Sequence, residues 1–145
     1  MSTLTPGDGQ DLLAAYKRAC ERRDPEASLV LYAKDAEHRA NPFQDAVVGA
    51  NALRQMWNDI AASQANVEFD AEHVWVVGAT VLTSFHGAYT NRETTERVRV
   101  RGFMTIEVND DGLIQRLRQW AVSSVVGLDA TFKVDANRRE GAGGR

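Results

Sequence analysis

Few side chains in this chain can move a proton or orient a ligand near neutral pH. His38, His73 and His86 are the histidines, and an imidazole with an ordinary pKa of about 6.5 serves as acid or base there. No histidine pair has the His-x-x-x-His spacing that places two ligands on one helix face, so a metal centre is not expected. Cys20 is the single cysteine, which leaves neither an intrachain disulfide nor a thiolate cluster. The glycines at 141, 143 and 144 follow no predicted strand and open no helix, so they do not form a phosphate-cradling loop. What is left is imidazole, phenol and amide chemistry, suited to proton transfer and hydrogen-bond polarisation without a cofactor.

These groups need elements to position them. Leu12, Ala15, Tyr16, Ala19 and Cys20 recur at helical spacing and predict a first helix over Gly9 to Arg23. Asp24-Pro25 opens a second helix, with Ala27, Val30 and Leu31 inward and an end near Lys34. Leu53, Met56, Trp57, Ile60 and Ala61 mark a third, from about Ala50 to Ser63. Glu37 to Phe43 reads as an edge strand closed by Asn41-Pro42. Beyond Asn66 the period becomes two, giving strands over Val67 to Val77, Ala79 to Tyr89, Arg97 to Val108 and Leu113 to Val125. Asn109-Asp110-Asp111-Gly112 supplies the last turn. The expected organisation is a flexible start over 1–8, an α+β domain over 9–128, and an extension over 129–145 that frays from about Asp135.

Composition narrows the partners. A chain of 145 residues with 43% hydrophobic content is one domain with a real core. A net charge of −3 gives no footprint for nucleic acid or an anionic membrane. No apolar run approaches the roughly 20 residues that span a bilayer, and the start has no signal-peptide pattern. A cytoplasmic protein is expected.

Leu31-Tyr32-Ala33-Lys34-Asp35-Ala36, an Asn-Pro step, then Val48-Gly49 and a helix resemble the signature of the SnoaL-like and ketosteroid isomerase-like branch of the nuclear transport factor 2-like superfamily. Asp111-Gly112-Leu113-Ile114-Gln115, followed by a strand with a tryptophan, is similar to that branch's closing hairpin. The resemblance implies a cystatin-like cone: three N-terminal helices packed on a strongly curved, mostly antiparallel sheet, with a pocket for an apolar small molecule. It also implies a homodimer through the sheet face.

The resemblance also tells against the family's best-known chemistry. In ketosteroid isomerases a helix tyrosine and a protonated aspartic acid hold the developing oxyanion, and a pre-proline aspartate moves the proton. Tyr16 matches the tyrosine, but Asn41 (or Ala40, given one extra residue in this stretch) takes the base position and Met104 the place of the acid. An amide does not abstract a proton near neutral pH, and a thioether donates no hydrogen bond. The limonene epoxide hydrolase pattern is also incomplete, since Arg118-Gln119-Trp120-Ala121-Val122 lacks its final aspartate.

With Met104 directed into the cone, Val100 shares its face, while Arg97, Arg99 and Arg101 face outward. The expected register of the preceding strand sends Leu82, Ser84, His86 and Ala88 inward. His86 then becomes the candidate acid/base, with Tyr16 and Asn41 polarising a substrate oxygen. The competing reading makes His86 a hydrogen-bonded wall residue. Trp57, Val100, Met104, Leu117 and Gln119 complete the expected ligand-binding wall. His38 and Arg39 lie on opposite faces of their strand, and either one could face the cavity. Two functions stay open: an enzyme acting on an apolar cyclic substrate as cyclase, isomerase, hydratase or hydrolase, or a non-catalytic ligand-binding domain.

Overall fold

The structure, a computed structural model, describes residues 3–126. Helix α1 spans Pro6–Arg22 and opens on a capping box. The Thr5 hydroxyl accepts from the Asp8 backbone N–H at 3.1 Å, and the Asp8 carboxylate accepts from the Thr5 N–H at 2.8 Å. Residues 6–8 are therefore helical rather than a loose lead, because Thr-Pro at the cap and first position is itself a start signal. Helix α2, Pro25–Leu29, is capped by Asp24 and stops well short of Lys34.

The chain instead enters strand β1 at Tyr32–Arg39, where Tyr32, Ala33, Ala36 and His38 are buried and Val30, expected inward, is exposed. Strand β1 is also not an edge. Strand β2, Val47–Val48, pairs on one side of it, and β6, Ile114–Val125, runs parallel to it on the other. Helix α3 spans Ala50–Ser63. Strands β3 (Gln64–Val77), β4 (Thr80–Asn91) and β5 (Arg97–Val108) complete a six-stranded sheet in the order β2-β1-β6-β5-β4-β3. All neighbours are antiparallel except β1 and β6. Gly112, at φ 79°, closes the turn before β6 in a conformation that favours glycine. This is the expected α+β cone, with the helices on the concave side of a curved sheet.

The core gathers where α1 and α3 meet that concave face. Leu13, Leu53, Met104, Ile106, Ile114 and Leu117 are almost wholly buried. Helix α1 is bound to β3 by Lys17, whose Nζ donates to Glu21 at 2.7 Å, the Phe69 carbonyl at 2.8 Å and Asp70 at 2.9 Å. At Gly9 the helix lies so close to β3 that a Cβ would come within 2.8 Å of Val76.

Strand register decides which side chains enter the cone. Strand β4 pairs with β5 through Thr83–Met104, Phe85–Gly102 and Gly87–Val100. Directly paired residues share a face, so the odd-numbered residues of β4 point inward. Val81, Thr83 and Phe85 are accordingly buried.

Candidate functional site

The concave side encloses a cavity of about 250 Å³. Helix α1 contributes Tyr16, Ala19 and Cys20, and α3 contributes Trp57, Ile60 and Ala61. Strand β1 and its end give His38 and Ala40, β3 and β4 give Val67, Phe69, Phe85 and Gly87, and β5 and β6 give Val100, Met104 and Gln119. Arg23, Asp24 and Pro25 lie where α1 meets α2.

Five of the residues picked from sequence meet in this wall: Tyr16, Trp57, Val100, Met104 and Gln119. Three do not. His86 lies on the convex face with its side chain 44% exposed, Nδ1 3.0 Å from Glu72 and Nε2 3.7 Å from Asp70. The one-residue register difference on β4 reverses its face. Asn41 is exposed in the turn after β1, where its side-chain oxygen accepts from the Phe43 N–H at 2.9 Å. Ala40, the alternative to it, lines the wall instead. Leu117 is fully buried among Ile106 and Ile114, as core and not cavity wall.

His38 resolves the choice between the two faces of β1. It is 3% exposed and lines the cavity, whereas Arg39 turns outward and donates to the Gln44 carbonyl. The His38 Nδ1 sits 2.8 Å from the Tyr32 hydroxyl. Its ring meets Trp57 edge-on at 5.8 Å, and Trp57 meets Tyr16 edge-on at 6.0 Å. Tyr16 in turn lies 5.2 Å from Phe69, which stacks on Phe85 at 5.4 Å. An aromatic belt thus runs from the buried imidazole through Trp57 and Tyr16 to Phe69 and Phe85.

Burial fixes the charge of this belt. Desolvation lowers His38 to a pKa of about 4, so the ring is neutral through the physiological range. Burial likewise raises the Tyr16 and Tyr32 phenols well above their ordinary range and pushes the Cys20 thiol up to about 12. The two carboxylate residues at the cavity are both engaged: Asp24 caps α2, and Glu68 accepts from Arg97 at 2.9 Å. The Trp57 indole N–H slightly favours ionisation of Tyr32, yet its nitrogen is buried without a hydrogen bond of good geometry. The arrangement can hold an apolar body and donate hydrogen bonds to a polar atom on it, and none of the described residues places an unengaged carboxylate inside it. Among the described residues no group of His, Cys, Asp or Glu is arranged to hold a metal ion, and no helix is long and apolar enough to cross a membrane.

Comparison with known proteins agrees with the fold. The SnoaL-like domain family matches residues 13–117, and the chain belongs to that family. No curated protein sequence matches it. Among solved structures it is similar to SalBIII, an epoxide hydrolase/cyclase-like enzyme of pyran ring formation in salinomycin. That similarity has a TM-score of 0.74 and 18% identity over 82% of this chain and 96% of the other. A Δ5-3-ketosteroid isomerase from Mycobacterium sp. superposes with a TM-score of 0.70 and 20% identity, over 81% and 98% of the two chains. Rv0760c from Mycobacterium tuberculosis, in complex with estradiol-17β-hemisuccinate, gives a TM-score of 0.67 and 19% identity, over 78% and 92%. At these identities the likeness is one of fold.

Proposed function

We propose that this SnoaL-like protein takes an apolar, cyclic small molecule into the cone and does not perform carboxylate-dependent steroid isomerisation. One observation carries the reading: a cavity of about 250 Å³ walled by aromatic and aliphatic side chains, with no free carboxylate inside it among the described residues. The volume, about 250 Å³, lies just below the roughly 300 Å³ at which ligand pockets usually begin, and favours a compact ring system over a long chain. The estradiol-derivative complex of one similar structure supports the same ligand class.

A catalytic role, as cyclase, isomerase, hydratase or hydrolase, is favoured by one feature, the buried imidazole of His38 on the cavity wall. The assembly that accompanies either reading is a homodimer through the convex sheet face, where Trp75, Trp120 and Val122 are exposed.

Calorimetric titration with 2-isopropylnaphthalene, an apolar two-ring probe, tests the site. We expect one binding event per chain in the native protein and none in Val100→Phe, whose ring occupies the cavity, with a stability loss below about 1 kcal/mol. A stability loss of several kcal/mol, or binding that survives the substitution, would show that this space is packed core and not a ligand site. Conversion of a Δ5-3-ketosteroid above the rate of a Tyr16→Phe control would overturn the exclusion of isomerase chemistry.

A further inference from the structure

We propose that His38 orients the ligand as a hydrogen-bond donor through Nε2–H, and that the site therefore selects apolar ring compounds carrying a carbonyl oxygen. The proposal rests on the reading of the cavity as a small-molecule site and names the chemistry that this site prefers.

The argument starts from where the protons can go. The Tyr32 hydroxyl and His38 Nδ1 are 2.8 Å apart and both buried, so one donates to the other. If Nδ1 carried the proton, the Tyr32 O–H would need a second acceptor, and no other described residue accepts a hydrogen bond from it. Trp57 on the other side brings an N–H, which is another donor. The arrangement that leaves no buried O–H unpaired has Tyr32 donating to Nδ1. A neutral imidazole that accepts at Nδ1 carries its proton at Nε2. That nitrogen bonds no described residue, and its ring forms part of the cavity wall.

The consequence is specific. A ring fixed by Tyr32 and packed edge-on against Trp57 presents an N–H, not a lone pair, to whatever fills the cone. His38 in this tautomer is not a base at Nε2; it polarises an oxygen. The ring is 3% exposed and faces the cavity, so the partner open to this N–H is whatever fills the cone. A site built to donate to an oxygen discriminates strongly against an isostere that lacks it. Tyr32 is a positioning residue, acting on the ligand only through the orientation and tautomer of His38.

Two measurements on the full chain decide this. Two-dimensional ¹⁵N NMR of the imidazoles should show His38 protonated at Nε2 and bare at Nδ1 near pH 7; the opposite tautomer overturns the proposal. Affinities for 2-acetylnaphthalene and the near-isosteric 2-isopropylnaphthalene should favour the ketone by about tenfold in the native protein. The ratio should fall to about one in His38→Leu and be largely kept in His38→Gln, whose amide still donates. Tyr32→Phe should lower the ratio and mix the His38 tautomers, an effect that simple loss of packing would not produce. If His38→Leu does not fold, the Tyr32→Phe ratio and the native tautomer carry the test. Equal binding of ketone and hydrocarbon in the native protein refutes the donor role but leaves the cavity reading intact. Binding of neither probe refutes the cavity reading, and the proposal with it.

Discussion

A histidine lowered to about pKa 4 by burial makes stability depend on pH. In the unfolded chain His38 titrates near 6.5, and in the folded protein near 4. Between those values the unfolded state binds more protons, so stability is full above about pH 6.5 and is lost as pH falls toward 4. Desolvation is the cause, and no charged group reinforces it: the titratable neighbours Tyr16, Tyr32 and Cys20 are all raised and stay neutral in this window. The shift corresponds to a loss on the order of 3 kcal/mol. Urea unfolding of native protein and His38→Leu at pH 7 and pH 4.5 should show the steeper decline in the native protein, and parallel declines would show that His38 is not held neutral.

The histidines also show where sequence reasoning stopped at this scale. His38 and Arg39 alternate on one strand, and nothing local to Tyr32–Arg39 says which face the helices cover. Parity in the hairpin decides which way His86 points. Thr90 pairs with Arg97, so the hairpin holds an even number of residues between paired positions, and an odd number would have turned His86 inward. Both faces of β4 offer apolar candidates, Val81 and Phe85 against Leu82 and Ala88, so hydrophobicity could not choose between them.

At the scale of elements, strong periodicity was legible and short segments were not. The stripe through Leu53, Trp57 and Ile60 marks α3 to its observed ends, and alternation marks β5 and all of β6, beginning one residue early. Tyr32 to Ala36 was harder, because a strand buried on one face beside a one-turn helix looks much like that helix continued. The junction between α1 and α2 is held by Arg23, which has a left-handed backbone at φ 51° and donates to the Ala61 carbonyl at 3.0 Å and the Gln64 carbonyl at 2.6 Å. One guanidinium thereby joins the C-terminal ends of α1 and α3 beside the cavity. Arg23→Ala removes both charge-assisted bonds and should cost about 2–3 kcal/mol in urea unfolding. Arg23→Gly loses the same bonds but relieves the left-handed backbone, and should be milder by about 1 kcal/mol. Equal losses would mean that the backbone conformation at this position is not strained.

For the whole molecule, the two faces of the sheet divide the work. The concave face is closed by helices around the cavity, while the convex face carries a row of aromatic side chains that the described residues leave uncovered. Trp120 pairs with Phe103 across β6 and β5, Phe103 with Ser84 on β4, and Ser84 with His73 on β3, with Trp75 lying 6.2 Å from the Phe103 ring. Trp75 is 49% exposed, Trp120 43% and Val122 76%. Polar and charged contacts border this row on two sides: His86 and Arg101 meet Glu72, and Arg116 and Arg118 pair with Glu107. An apolar centre with a charged rim is the usual anatomy of a protein interface, and tryptophans at such centres carry much of the binding energy. A second copy meeting the same face closes the assembly by a two-fold axis without leaving a sticky edge. Sedimentation velocity of the native chain should therefore give a dimer, and Trp120→Glu, which sets a charge at the centre of the contact, should give a folded monomer. Arg99→Ala, on the exposed side of β5, should remain dimeric if the tryptophan row is the contact. A native monomer, or a Trp120→Glu protein that still sediments as a dimer, would remove the convex face from consideration.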